Sequence, residues 1–166
     1  MVFIAELREW VTQNGSNNVV YFDESGFCAH SYRPHGWAPR GKKIYGKVSG
    51  NNRKVMNLIM AQRKKEWIAP MIFHETCTHQ TVTTWIKECL IKELQKPSLV
   101  IMDNAPFHNK KDIKKILEDN GHTLLPLPKY SPDLNPIEKA FANIKKRRIF
   151  SGISVEEIIK RHNYLE

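Results

Sequence analysis

The sequence predicts an α/β fold, a mixed central sheet with helices on both faces. Two runs, Val19-Val20-Tyr21-Phe22 and Leu99-Val100-Ile101-Met102, are apolar on successive residues, the pattern of strands covered on both sides. Helical periodicity fills much of the remaining chain and alternates with short extended segments. At 166 residues the chain is expected to form a single domain, long enough for a core under helical layers.

Phe3, Ile4, Leu7, Trp10 and Val11 fall at helical spacing, and Gln13 to Asn18 break the pattern, so residues 1–17 read as a helical lead-in. The first apolar run is then a strand that ends at Asp23. Ile44 to Val48 and Val55 to Ala61 are further strand candidates, joined by a turn at Gly50-Asn51-Asn52. Trp67 to Phe73 is a fourth extended segment, which Pro70 assigns to an edge or an irregular stretch. Val82, Trp85, Ile86, Cys89, Leu90 and Leu94 mark one stripe of a long amphipathic helix with Thr78 as its cap.

The second apolar run is a strand ending at Asp103. Ile113, Ile116 and Leu117 give the next helix its core face, and Asn120-Gly121 terminates it. Leu124 to Pro128 reads as a last short strand. Asn135 is expected to be the N-cap of the following helix, with Pro136 at N1, Glu138 at N3 and Ile137, Phe141 and Ile144 inside. Ser154 with Glu157 repeats a capping-box pattern before a final helix. If the two apolar strands are central parallel neighbours, Asp23 and Asp103 lie about 5 Å apart in the pairing direction. Ligands of such folds gather at carboxyl ends of strands.

Lysine and arginine total 26 against 17 acidic residues, a formal charge of +9. The excess lies in short runs such as Arg40-Lys42-Lys43, Arg63-Lys64-Lys65 and Lys145-Lys146-Arg147-Arg148. This balance favours a polyanionic partner, nucleic acid before an anionic membrane surface. Three cysteines at unpatterned spacings argue against a disulfide framework. The N-terminus lacks the basic start of a signal peptide, and no apolar stretch approaches 18 residues. A soluble, intracellular domain with no membrane partner is expected.

Asp23, Asp103 and Glu138 are the candidate catalytic and metal-binding residues. Phosphodiester chemistry needs stabilisation of charge on the attacking and leaving oxygens, which two divalent ions held by carboxylates provide. Spacing alone leaves a second reading for each: a strand-end aspartate also serves as a turn residue, and a glutamate at N3 as a capping partner.

The segments VVYFDESGF (19–27), LVIMDNAPFH (99–108) and LPLPKYSPDLNPIEKAFANIKKR (125–147) resemble the three signature blocks of DDE-type insertion-sequence transposases allied to the mariner superfamily. Thirty-four residues separate Asp103 from Glu138, a spacing typical of that branch, and Gly36-Trp37-Ala38-Pro39-Arg40-Gly41 matches a segment often seen between the first two blocks. The resemblance implies an RNase H-like fold and a triad of Asp23, Asp103 and Glu138 holding two Mg²⁺ ions, with Mn²⁺ as substitute. It implies hydrolysis at transposon ends followed by 3′-hydroxyl strand transfer into target DNA, typically at a TA dinucleotide. The implied partners are double-stranded DNA, a second copy of the domain in the active complex, and a helix-turn-helix end-binding module. Fewer than twenty-five residues precede Asp23, so that module is expected to be absent or separate. The implied setting is the bacterial cytoplasm, at the nucleoid.

Asn104 and His108 follow the second aspartate and are candidates to support the metals or contact a phosphate. Arg40, Lys42, Lys43, Lys145, Lys146, Arg147 and Arg148 are candidate contacts to the DNA backbone rather than to bases. Trp37 is a candidate stacking residue. His74, Cys77 and His79, or Cys28 and His30, match no familiar zinc arrangement. Two other functions fit the same residues: an RNase H-like nuclease or resolvase that never joins strands, and an inactive transposase-derived DNA-binding protein.

Overall fold

The structure is a computed structural model that describes residues 2–28, 38–43, 55–104, 109–129 and 131–164. The expected strand at Ile44 to Val48, the turn at Gly50 to Asn52, and His30, Gly36, Trp37 and His108 lie outside the described residues. The chain runs α1 (Val2–Asn14), β1 (Val19–Cys28), β2 (Val55–Arg63), β3 (Glu66–Phe73) and α2 (His79–Trp85). A π-helical stretch (Ile86–Leu90) joins α2 to α3 (Ile91–Glu93). β4 (Leu99–Met102), α4 (Lys110–Asp119), β5 (Thr123–Pro126), a 3₁₀ turn (Pro132–Leu134), α5 (Ile137–Ser151) and α6 (Val155–Tyr164) complete it.

The sheet order is β3-β2-β1-β4-β5. β1 pairs antiparallel with β2 and parallel with β4, and β4 pairs parallel with β5. This is the expected mixed sheet, with the two apolar runs as parallel neighbours at its centre. Its pleat sorts the core into two layers. Val20, Phe22, Ile59, Ala61, Val100 and Met102 pack with Trp85, Ile86, Leu90, Ile113 and Leu117 on one face. Leu58, Met60 and Phe27 pack with α5 and α6 on the other, beside Leu99, Ile101 and Leu125, which pack with α1.

The extent of one strand and the type of one helix depart from the sequence reading. β1 does not end at Asp23 but continues to Cys28, because β2 pairs with it throughout while β4 stops at Met102. The long helix is not α-helical throughout. Its buried residues Ile86, Leu90 and Leu94 repeat every four positions, a period that drifts off the face of an α-helix with about 3.6 residues per turn. The wider π turn brings that stripe back to the core.

Pro70 sits on edge strand β3, as expected. Next to it the β2–β3 register shifts, and Ala69 takes φ 50°. Both backbone groups of Ala69 are held by the long helix instead: Trp85 Nε1 donates to its carbonyl at 2.7 Å, and its N–H donates to Glu93 at 3.1 Å. Thr78 caps α2, accepting from Thr81 N at 3.2 Å while Thr78 N donates to Thr81 Oγ1 at 3.4 Å. Thr78→Ala is expected to lower stability by about 1 kcal/mol in denaturant titration. At the far end Ser154 caps α6 by accepting from Glu157 N, but the Glu157 carboxylate pairs with Arg161. Trp67 stacks on His162 at 3.6 Å and seats α6 on the β2–β3 hairpin. No helix among the described residues is long and apolar enough to cross a membrane.

Candidate active site

The pleat decides where the acids point. Tyr21 and Phe27 lie on the α5 side of the sheet, so Asp23, in step with both, points to that side too. On β4, Leu99 and Ile101 pack with α1 and Tyr21, and Tyr21 also packs with the α5 cluster, so they share that side, and the same alternation carries to Asp103. The register pairs Phe22 with Met102, so the two aspartates occupy the next step, just where β4 leaves the sheet. α5 lies over this point. Its stripe of Ile137, Ala140, Phe141 and Ile144 is buried against the sheet, and Glu138 stands in its first turn.

The charges register one another. Asp23 is pushed up from 3.8 to about 7, first by burial, then by Glu24, with Asp103 and Glu138 adding to the rise and the Glu24 N–H opposing it. That N–H donates to Asp23 Oδ1 at 2.8 Å. A carboxylate raised by burial and like charges is unfavourable in the free protein, which is how a site prepared for cations looks before they arrive.

Asn135 is the residue that sequence reasoning placed in the wrong role. It does not cap α5: Pro136 is the N-cap residue and no side-chain cap bond forms. The Asn135 amide turns to the sheet, where Nδ2 donates to Asp23 Oδ2 at 3.1 Å. Only 4% of Asn135 is exposed, and its Oδ1 has no hydrogen-bond partner among the described residues. The contact spans 112 positions in sequence, so no local pattern announces it. Glu24 points to the opposite face, where burial, aided by this carboxylate, raises the Cys77 thiol to about 11.

Asn104 follows Asp103 and is half-buried, its Oδ1 likewise without a partner among the described residues. Arg40, Lys42 and Lys43 form an exposed turn closed by Lys42 N to Pro39 O at 3.0 Å, with Gly41 at φ 88°. The four cations of α5 do not share one surface, since successive helical residues are turned by about 100°. Lys145 lies two turns beyond Glu138 with Nζ 5.5 Å from the Phe27 ring centre. Lys146 and Arg147 are exposed, and Arg148 is half-buried.

His79 bonds to Asp112 at 3.3 Å and accepts from Asn109 N at 3.3 Å, and Cys77 packs on the core. Among the described residues no three His, Cys, Asp or Glu side chains close around one point. The three carboxylates are therefore neighbours rather than a finished cage. An all-oxygen donor set with orphaned amide oxygens beside it fits Mg²⁺ or Mn²⁺, which keep waters and accept substrate phosphate as ligand.

The family model for the DDE superfamily endonuclease matches residues 18–158. The chain belongs to the DDE superfamily of endonucleases. Among solved structures, this DDE domain is similar to the mariner Mos1 paired end complex with Mg, with TM-score 0.70 and 19% identity over 95% of this chain and 50% of that one. The Mos1 mariner paired end complex with Mn gives 0.68 and 19% over 98% and 53%. The catalytic domain of Mos1 mariner transposase gives 0.59 and 18% over 96% and 74%. At these identities the likeness is one of fold, and it agrees with an RNase H-like architecture for the DDE domain. The chain spans about half the length of the transposase chains in the paired-end complexes. No curated protein matches it.

Proposed function

We propose that this DDE domain is the catalytic domain of a DNA transposase, hydrolysing phosphodiesters at transposon ends and transferring the resulting 3′-hydroxyl to target DNA. The observation that carries the reading is the acidic face: Asp23 and Asp103 in adjacent register on one side of the sheet, with Glu138 brought over them by α5. Asp23 would lie between two divalent cations, with Asp103 and Glu138 anchoring one each. Two such ions supply charge stabilisation for the attacking and leaving oxygens.

The chain's own part is placement. Asp23 lies within β1 and Asp103 directly follows the fully buried β4, so the sheet sets both positions before substrate arrives. Glu138 comes from a helix locked to the same sheet by Ile137, Phe141 and Ile144. In the first step water attacks phosphorus and the P–O3′ bond breaks, leaving a 3′-hydroxyl. In the second that hydroxyl attacks a target phosphodiester, forming one P–O bond and releasing the target's 3′-hydroxyl. The TA target, the pairing of two domains across two ends and end recognition by a helix-turn-helix module belong to this proposal.

Magnesium-dependent nicking of supercoiled plasmid tests the reading. Open-circular product that EDTA abolishes is expected; no nicking by folded protein with either Mg²⁺ or Mn²⁺ would overturn it. A labelled duplex with a free 3′-hydroxyl, joined to the plasmid, separates a transposase from a nuclease that only hydrolyses.

Exposed Lys146 and Arg147 are expected to touch phosphate backbone. Replacing both with glutamine should reduce the slope of log K against log salt by up to about 0.9 per lost contact. Fluorescence anisotropy on a duplex reads that slope, and an unchanged value removes them from the interface.

A further inference from the structure

We propose that Asn135 is a positioning residue of the metal site, which holds Asp23 through its N–H and accepts a hydrogen bond from the cation's hydration shell through its side-chain oxygen. The inference rests on the metal-site reading above and adds a component to it. Asn135 is 4% exposed, yet only one end of its amide is used: Nδ2 donates to Asp23 Oδ2 at 3.1 Å, while Oδ1 has no partner among the described residues. A buried carbonyl left unpaired is unfavourable, and a donor brought to the site, such as a cation-bound water, would satisfy it.

The position of that oxygen follows from the bond already made. Oδ1 shares a carbon with the nitrogen that touches Asp23, so it lies beside the carboxylate. With a cation bound, Asp23 is ionised, and an ionised carboxylate takes the N–H and repels the carbonyl, which keeps the amide in this orientation. The backbone has its own work: Asn135 N donates to Pro132 O at 2.9 Å, and Asn135 O accepts from Glu138 N at 3.3 Å. One residue therefore ties Asp23 on β1 to the turn that carries Glu138. A cap would have pointed the side chain along the helix; here the cap position is given to Pro136, and the asparagine is left for the site.

The chemistry is that of a partner orienting a metal ligand. Carboxylates that bind metal are themselves hydrogen-bonded, and loss of such a partner typically weakens metal affinity 10–100-fold. Asn135→Leu keeps the shape and removes both polar ends.

Calorimetric titration with Mn²⁺ in the absence of DNA, on wild type, Asn135→Leu and Asp23→Ala, tests the proposal alongside thermal denaturation in EDTA. Asn135→Leu is expected to weaken Mn²⁺ binding at least about tenfold without losing its cooperative unfolding transition. If Asp23→Ala loses Mn²⁺ but Asn135→Leu binds like wild type, the role of Asn135 is overturned and the site reading stands. If Asp23→Ala itself binds like wild type, the site reading fails. Should Asn135→Leu not fold, the wild type carries the test by NMR. The Asn135 side-chain amide signals should move on Mg²⁺ addition with the half-saturation of the Asp23 carboxyl signal. Amide signals that stay in place to saturation would overturn the proposal.

Discussion

Asp103→Ala is expected to cut magnesium-dependent plasmid nicking at least about 10³-fold, and Asp23→Ala and Glu138→Ala should do the same. The size follows from the charge that the cations stabilise: several kcal/mol of the barrier depends on them, and each 1.36 kcal/mol is about a factor of ten in rate. Asp103 is the cleanest of the three to replace. It lies one residue beyond β4, whose four residues are buried, so the sheet should survive its truncation. Asp23 is embedded in β1 and bonded to Asn135, and its loss disturbs more. Circular dichroism should show all three variants folded. A folded Asp103→Ala that nicks at the wild-type rate would remove that residue from the chemistry.

Asp23→Asn should do the opposite for stability. With metal chelated, it is expected to raise the melting temperature near pH 8 by roughly 5 °C while abolishing nicking. The Asp23 carboxyl titrates at about 7 in the folded protein against an ordinary 3.8. Below about pH 4 it is neutral in both states and costs nothing. Between that point and about pH 7 the unfolded chain ionises first, so the native state loses stability as pH rises, and above it the loss is complete. At 1.36 kcal/mol per unit the ceiling is about 4 kcal/mol; Asp23 is only half-buried, and screening brings the expected gain to about 2 kcal/mol. Asparagine keeps an acceptor for Glu24 N, and the Asn135 amide can turn so that its oxygen receives the new N–H. Melting curves in EDTA at about pH 4 and about pH 8 read the difference. An equal shift at both would show that the charge is not responsible.

Much of this architecture can be read without coordinates, because its central elements declare themselves in short range. Val19 to Phe22 and Leu99 to Met102 are uniformly apolar, a run that suits a strand covered on both faces. The stripe of α5 and the Pro70 edge strand are equally local signals. The three blocks that carry the acids are legible for a different reason: they resemble a family motif, which composition and periodicity by themselves do not yield. Asp23 shows the limit. Apolar patterning stops at it, so it looks like a strand end, yet β1 runs on to Cys28 because its neighbour β2 continues. Asn135 shows another. A local pattern offers the asparagine to the helix as a cap, while the fold offers it a carboxylate 112 residues away, and the long-range partner wins. The π turn has a similar origin, since an i, i+4, i+8 stripe suits a helix only after the core has set the face it must meet.

Binding of Mn²⁺ by the DNA-free protein reads the proposed cation site without substrate, with Asp103→Ala as the comparison. Measurable heat of binding to the wild type is expected, with an affinity at least about tenfold weaker in the variant. Equal affinities, in two proteins that melt alike, would contradict a cation site shared by Asp23, Asp103 and Glu138.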